Sequence, residues 1–512
     1  MNRPGRRAWP RAALAAATAA VLLAAGCQPG PEAPLEDDTT VHRYGEIAFQ
    51  PCVLGGEDGM PTVEAQCGGF EVAEDPASPG GRQIRLNLAW LEAEKGGGSD
   101  DPLFFIAGGP GQAATGVAPM VEMALKDVLK QRDVILVDQR GTGQSNPLDC
   151  RDADGELLGF DAAASGDVEE VKAYFRQCLR SLEGRADTRF YTTTHAIADL
   201  DAVRAALGVD RINVMGGSYG TRVAQQYAMR YPSHTRTVVL DGVVPNRLVV
   251  GGEFARMLDR ALDRQDAQCG EQPACRERFG DDLVGRIRAL EAKLRAEPLE
   301  VGYRHPTTFA AETGTLDADT LVGLVHGVSY VPQLSALLPL VIDEAEEGRY
   351  GPLMSIAQFW SGRMEGMMNL GMRLSVVCAE DAPRYTPDDA DAGTLMGADL
   401  GPQFFAGCEG WPAGDAPAGF NDAYSGDIPT LLISGDLDPV TPPEYGDEVA
   451  AALGNARHLA LKGQGHGVMG VGCMPRLVAQ FVESADPAAL DADCLDTLSY
   501  VPPFTGYNGW EP

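Results

Sequence analysis

Ser218 stands between glycines in the run Met215-Gly216-Gly217-Ser218-Tyr219-Gly220, after an apolar, strand-like segment (211–214) and before a helix-like one (221–228). Read as G-x-S-x-G, the run describes a sharp turn from strand into helix. Glycines at 216 and 220 permit the tight backbone, and the hydroxyl is held out at the top of a sheet. The helix that follows aims its first amides at the place where negative charge would develop on a substrate oxygen. A serine alcohol is a poor nucleophile until an oriented base takes its proton, and both partners lie downstream. The strand-like stretch 430–434 runs into Gly435-Asp436-Leu437-Asp438-Pro439-Val440-Thr441-Pro442. A second, ending at Leu461, runs into Lys462-Gly463-Gln464-Gly465-His466-Gly467. A histidine between glycines on an exposed loop has little core to pack against, so His466 is read as the base; His458, inside the strand, reads as structural. Asp438, held beside Pro439, takes the orienting role, with Asp436 its competitor and otherwise a turn former. Upstream, Ala107-Gly108-Gly109-Pro110-Gly111 follows the strand-like 103–106. The amide of Gly109 with that of Tyr219 would make an oxyanion-binding donor pair, the alternative being a plain turn.

The elements that must position these residues alternate. The stretch 82–90 alternates apolar and polar as a half-buried strand does. The runs 103–106 and 134–137 are continuously apolar, as suits parallel strands covered on both faces. Helical stretches at 117–130 and 197–207 separate them from further strands at 212–215 and 237–240. Strand alternating with helix predicts a doubly wound, mostly parallel α/β sheet. The rhythm breaks after about residue 250. Helices are predicted at 254–265, 281–296, 318–328 and 334–347, and the alternation returns at 430. The predicted organisation is a signal segment over 1–27, a polar, proline-rich tether over 28–45, a catalytic domain in two parts, 46–250 and 421–512, and a mainly helical insertion over 251–420.

The chain has 512 residues, 73 acidic against 41 basic, and a net charge of −32. That balance argues against binding to nucleic-acid phosphates, which needs lysine and arginine patches. Arg3, Arg6, Arg7 and Arg11 precede an apolar run, 12–25, with the length of a signal-peptide core. It ends Leu23-Ala24-Ala25-Gly26-Cys27, similar to a bacterial lipobox although its leucine stands one place too far from the cysteine. Cys27 is therefore expected to carry a lipid anchor, membrane contact being through that anchor alone; cleavage to a soluble exported protein is the alternative. Of 11 cysteines, the rest fall into near neighbours: Cys52 and Cys67, Cys150 and Cys178, Cys269 and Cys275, Cys378 and Cys408, Cys473 and Cys494. In an oxidising compartment sequential bridges are expected, although spacing alone does not fix connectivity. A zinc site is the alternative, disfavoured because no C-x-x-C pair occurs.

Together these segments resemble the α/β hydrolases of the proline iminopeptidase and secreted tripeptidyl aminopeptidase type. The resemblance rests on Gly108-Gly109-Pro110-Gly111-Gln112, on Asp138-Gln139-Arg140-Gly141-Thr142-Gly143-Gln144-Ser145, on 216–220, on the turn from Asp438 to Pro442 and on Gly465-His466. It covers roughly 80–250 and 425–500. It implies an α/β-hydrolase fold with a helical cap, peptide substrates and no cofactor or metal. Ala107 stands where proline iminopeptidases usually have histidine, which moves the resemblance toward the tripeptidyl aminopeptidase branch. Such exopeptidases hold the free substrate amine with a carboxylate, and Glu380 and Asp381 are the candidates, a solvated acidic loop being the plain alternative. The resulting expectation is an exported serine hydrolase, an aminopeptidase acting through Ser218, His466 and Asp438. An esterase of the same fold is the alternative, and a non-catalytic peptide-binding surface lipoprotein the alternative of another class. If Cys27 is acylated, the protein partitions into detergent and Cys27→Ser releases it to the aqueous phase; a mature N-terminus found at another residue would contradict the anchor.

Overall fold

Leu103–Ile106 and Val134–Val137 are buried at every position, and strands of that kind must be covered on both faces. In the computed structural model, which describes residues 41–56, 61–96, 100–152, 154–158, 168–364 and 367–509, they lie inside a ten-stranded sheet. The signal segment, Cys27 and most of the tether lie outside the described residues. In chain order the strands are β1 (His42–Tyr44), β2 (Ile47–Gly55), β3 (Thr62–Ala73), β4 (Gln83–Leu91), β5 (Leu103–Ile106), β6 (Val134–Val137), β7 (Ile212–Gly217), β8 (Thr235–Asp241), β9 (Leu299–Arg304), β10 (Ala311–Leu316), β11 (Thr430–Gly435) and β12 (Ala456–Leu461). The sheet runs β1-β2-β3-β4-β6-β5-β7-β8-β11-β12. From β6 to β12 every pairing is parallel, while β1 to β4 form an antiparallel extension that joins the rest through β4 and β6.

Helices α1 (Ala118–Leu125), α2 (Val168–Leu182), α3 (Thr193–Ala206) and α4 (Tyr219–Arg230) connect the first strands. Between β8 and β11 come α5 (Phe254–Glu271), α6 (Pro273–Phe279), α7 (Leu283–Ala296), α8 (Ala318–Ser329), α9 (Pro332–Ser335), α10 (Leu338–Glu346), α11 (Gly351–Met364), α12 (Leu370–Glu380) and α13 (Leu400–Ala406). Helices α14 (Pro443–Ala451) and α15 (Met474–Ser484) flank β12. One face of the sheet packs Leu88, Phe104, Ile135, Val214 and Val223 into a single core. The other packs Leu103, Phe105, Leu136, Leu431 and Phe481. The insertion has its own core of Leu258, Leu262, Ile287, Leu290, Leu324 and Val325.

Three features depart from the sequence reading. His42–Tyr44, inside the segment read as tether, pairs with β2 as an edge strand. Gly45, at φ +59, makes the turn there against the carbonyl of Ala206. Within the helical insertion β9 and β10 form a separate hairpin; its mostly exposed faces give little hydrophobic alternation to read. Finally, α12 belongs by packing to the sheet, because Met372, Leu374, Val376 and Cys378 join the core around Phe104.

Disulfides join Cys52 to Cys67, Cys150 to Cys178, Cys269 to Cys275, Cys378 to Cys408 and Cys473 to Cys494. The fourth ties α12 to the segment just after α13. Removing it through Cys378→Ser with Cys408→Ser should cost about 2–5 kcal/mol, read as a lower urea midpoint. The wild-type protein, denatured without reductant, should show no reactive thiol at the ten paired positions.

Candidate active site

Strand β7 ends at Gly217 and α4 begins at Tyr219, so Ser218 alone makes the turn, with φ 54 and ψ −126. A non-glycine residue there is strained by about 1–3 kcal/mol, which the surroundings must over-determine. The surroundings do so by contact: a Cβ at Gly216 would lie 2.1 Å from the carbonyl oxygen of Gly220, and one at Gly220 would lie 2.4 Å from that of Ile106. Only glycine fits either place. The Ser218 amide donates to the carbonyl of Asp241 at the end of β8 (2.8 Å), and the Tyr219 amide stands in the first turn of α4, where helix amides have no intrahelical acceptor. The turn containing Gly109 follows β5 and packs against the nucleophile, since a Cβ at Gly108 would come within 2.9 Å of Ser218 Cβ. The candidate oxyanion turn and Tyr219 thus meet at Ser218.

The candidate acid and base come from the loops after β11 and β12. His466 Nδ1 and Asp438 Oδ2 are 2.7 Å apart. The other oxygen of Asp438 accepts the amides of Val440 (2.9 Å) and Thr441 (2.8 Å), and the Thr441 hydroxyl donates to Oδ2 at 2.8 Å. Burial pushes the Asp438 carboxyl up, but the facing His466 and these donors outweigh it and hold it below the usual carboxylate range. For His466 burial favours the neutral ring, yet Asp438 outweighs it and raises the imidazole above its ordinary value. Asp436 is otherwise employed: its carboxylate accepts the Gly463 amide (2.7 Å) and the Tyr500 hydroxyl (3.1 Å). His458 lies between Asp447 and the Ser434 hydroxyl, as befits a structural histidine.

Ser218 and His466 both meet the end of β8, the one at Asp241 and the other at Gly242. A Cβ at Gly242 would lie 3.1 Å from His466 Cε1. No hydrogen bond joins the Ser218 hydroxyl to His466 among the described residues; such contacts tighten once substrate is bound. The carboxylate of Asp241, buried and pushed up to about 6 chiefly by burial, accepts the amides of Val468 and Met469 just beyond the histidine (2.9 Å each).

Glu380 and Asp381 are not on a solvated loop. They close α12 at 2% and 0% exposure. Glu380 accepts the Thr193 amide (2.7 Å) and hydroxyl (2.9 Å) at the start of α3, and lies 3.8 Å from Arg222. Asp381 pairs with Arg222 (3.1 Å) and accepts the Val250 amide. Burial pushes both carboxyls up, Glu380 to about 7, against the pull of Arg222. Thr193 also bonds the Tyr219 hydroxyl (2.6 Å). The pair therefore braces the nucleophile turn from behind, and both carboxylates are already occupied. The Asp138–Ser145 loop braces it from another side: Asp138 accepts the Thr115 amide and the Asn87 side chain, and Arg140 forms a buried pair with Asp199.

Sequence reasoning missed Thr441, Asp241 and Tyr330. The Tyr330 carbonyl accepts the His466 amide (3.0 Å), and its ring packs on the imidazole at 5.1 Å. A side chain at Gly465 would strike that carbonyl, which makes Gly465 the one local sign of the contact. No group of three or more His, Cys, Asp or Glu fit to hold a metal occurs among the described residues. No helix among them is long and apolar enough to cross a membrane.

The alpha/beta hydrolase fold family matches residues 101–275 and the TAP-like protein family residues 394–494. The chain is a serine hydrolase of the α/β-hydrolase fold, related to the serine protease Hip1 and to tripeptidyl aminopeptidases. It is 25% identical over 478 residues to serine protease Hip1 of Mycobacterium tuberculosis, covering 88% of this chain and 91% of that one. It is 28% identical over 491 residues to carboxylesterase B of the same organism, covering 87% and 91%. With tripeptidyl aminopeptidase of Streptomyces lividans it shares 32% identity over 197 residues, 36% of each chain.

If His466 acts as the base it must be neutral, so kcat/KM should fall on the acid side of a midpoint above the ordinary histidine value of about 6.5. Asp438→Asn removes the raising charge and should move that midpoint down while lowering the plateau by ~10⁴-fold. Asp436→Asn should shift neither comparably, and the reverse ranking in a pH–rate profile would transfer the role.

Proposed function

We propose that the chain is an exported serine peptidase that acts through Ser218, His466 and Asp438 at the free N-terminus of peptides. The observation that carries the hydrolytic part is the 2.7 Å pair between His466 and Asp438, set beside a serine on a strained turn at the head of α4. Ser218 Oγ attacks the carbonyl as His466 takes its proton. The amides of Gly109 and Tyr219 hold the oxyanion. The imidazolium, stabilised by Asp438, then protonates the leaving amine, and water repeats the sequence on the acyl-enzyme. The aminopeptidase part is supported by the likeness to the tripeptidyl aminopeptidase. It is also supported by the closeness of the insertion to the site: Tyr330 lies on His466, and Asn369 at the head of α12 donates to the carbonyl of Gly111 in the oxyanion turn (2.9 Å). A site closed from two sides suits a chain end better than the middle of a polypeptide.

A second reading, esterase, is favoured by two observations. The likeness to carboxylesterase B spans most of both chains, and Glu380 and Asp381, the carboxylates expected to hold the amine, are occupied within the fold. Mass spectrometry of the products from free and N-acetylated peptides of graded length separates the two. The peptidase reading expects fragments released from the free N-terminus and acetylated peptides cut at least ~10-fold more slowly. Equal rates would sink the exopeptidase reading. Ser218→Ala should abolish cleavage, and labelling by a serine-directed phosphonate, without unfolding the protein.

A further inference from the structure

In a chain with 73 acidic and 41 basic residues, a cation in the interior has acids to choose from, and the arginines around the site have found them. Arg222 pairs with Asp381, Arg140 with Asp199, Arg256 with Asp388 and Asp391. Arg373 has not. Its guanidinium forms no ion pair and meets no hydrogen-bond acceptor among the described residues; its Cζ stands over the Phe404 ring, 4.4 Å from the centroid. The residue is half-buried, on the one stretch of α12 that is not sealed into the core. Desolvation lowers its pKa, opposed only by Tyr330.

Its surroundings place it at the catalytic centre. Asn369, one turn earlier on α12, donates its amide to Gly111 and accepts the Gly143 amide through its side chain (3.1 Å), so this end of the helix is pinned to the oxyanion turn. Tyr330 packs on His466, and the charge of Arg373 lowers its phenol's pKa against the rise that burial causes. From Tyr330 an aromatic wall continues through His326 (5.2 Å) and Phe254 (6.5 Å) to Phe404 (5.9 Å) and so back to Arg373. On that wall the Nε2 of His326 is buried with no partner. Burial, then His466, holds this ring neutral, with a pKa of about 4. An unpaired guanidinium and an orphaned ring nitrogen on one apolar wall beside the base are polar groups awaiting a counterpart, because leaving such groups desolvated and unmatched is costly.

We propose that Arg373 is a specificity-determining residue, receiving a carboxylate of the substrate in a subsite walled by Phe404 and Tyr330, with His326 Nε2 as a second polar contact. A planar guanidinium stacked on a ring keeps its fork free for a bidentate carboxylate. The carboxylate has two possible sources in a peptide, an acidic side chain next to the scissile bond or the C-terminus of a short substrate. The inference rests on the proposed peptidase reading, and the test keeps the two apart.

The experiment measures kcat/KM for peptide pairs differing in one charge: Glu against Gln on either side of the scissile bond, and free against amidated C-terminus. The wild-type enzyme should favour the carboxylate member in one arm by ~10-fold or more, the value of a charged hydrogen bond. Arg373→Gln should reduce that ratio to about 1–3, and Arg373→Lys, which keeps the charge and loses the fork, should give an intermediate ratio. If Arg373→Gln fails to fold, the lysine variant alone carries the reading. No preference in any arm, or a loss of the same size for both members of each pair, overturns the subsite. Repeating the favoured pair with acetylated N-termini tests the exopeptidase reading separately, since its failure would leave the Glu-to-Gln ratio intact.

Discussion

Asp241 holds the candidate site together. Its carbonyl takes the amide of Ser218, and its carboxylate takes the amides of Val468 and Met469 in the loop that carries His466. One residue at the end of β8 thus fixes both Ser218 and the loop of His466, the candidate nucleophile and base, relative to the sheet. The neighbouring Gly242, at φ +69, lets the imidazole come down onto the backbone. Each of these amides would otherwise be a buried donor without a partner, a loss of about 1–3 kcal/mol apiece.

Around that point the molecule divides its labour unevenly. The sheet supplies strand ends and the amides of the oxyanion turn. The inserted region is not a detached lid: α12 is built into the sheet's own core, and its acidic end clamps Thr193 and Arg222 behind Tyr219. Helices α5, α7, α8, α10 and α11, with β9, β10 and Leu395, enclose a separate apolar core. The pair Glu380 and Asp381 is thereby tied, through Thr193 and Arg222, to the turn that carries Ser218.

Much of this was legible in the chain because the responsible forces are local. The run at 134–137 could only be a doubly covered strand, and glycines at 216 and 220 could only mean a tight turn. Asp438 was separable from Asp436 by the proline beside it. What escaped reading depends on partners distant in sequence. Nothing near Cys378 signals that the acids after it will meet Arg222 from another helix, so Glu380 and Asp381 read only as candidates for a substrate amine or as a solvated face. Thr441 looks like an ordinary turn residue until Asp438 is seen to need its hydroxyl. The edge strand at 42–44 is too short to show a period, and β9 and β10 too exposed to show an apolar face.

The contact between Tyr330 and His466 has a mechanical meaning. Because the end of α8 is bonded to the amide of the base and stacked on its ring, the covering helices cannot swing open as a hinged door and leave the machinery undisturbed. Any movement of α8 away from the sheet drags or releases the imidazole. A molecule wedged beneath that helix would silence the enzyme without approaching Ser218, and heating that loosens the cover would extinguish turnover while the sheet below was still intact.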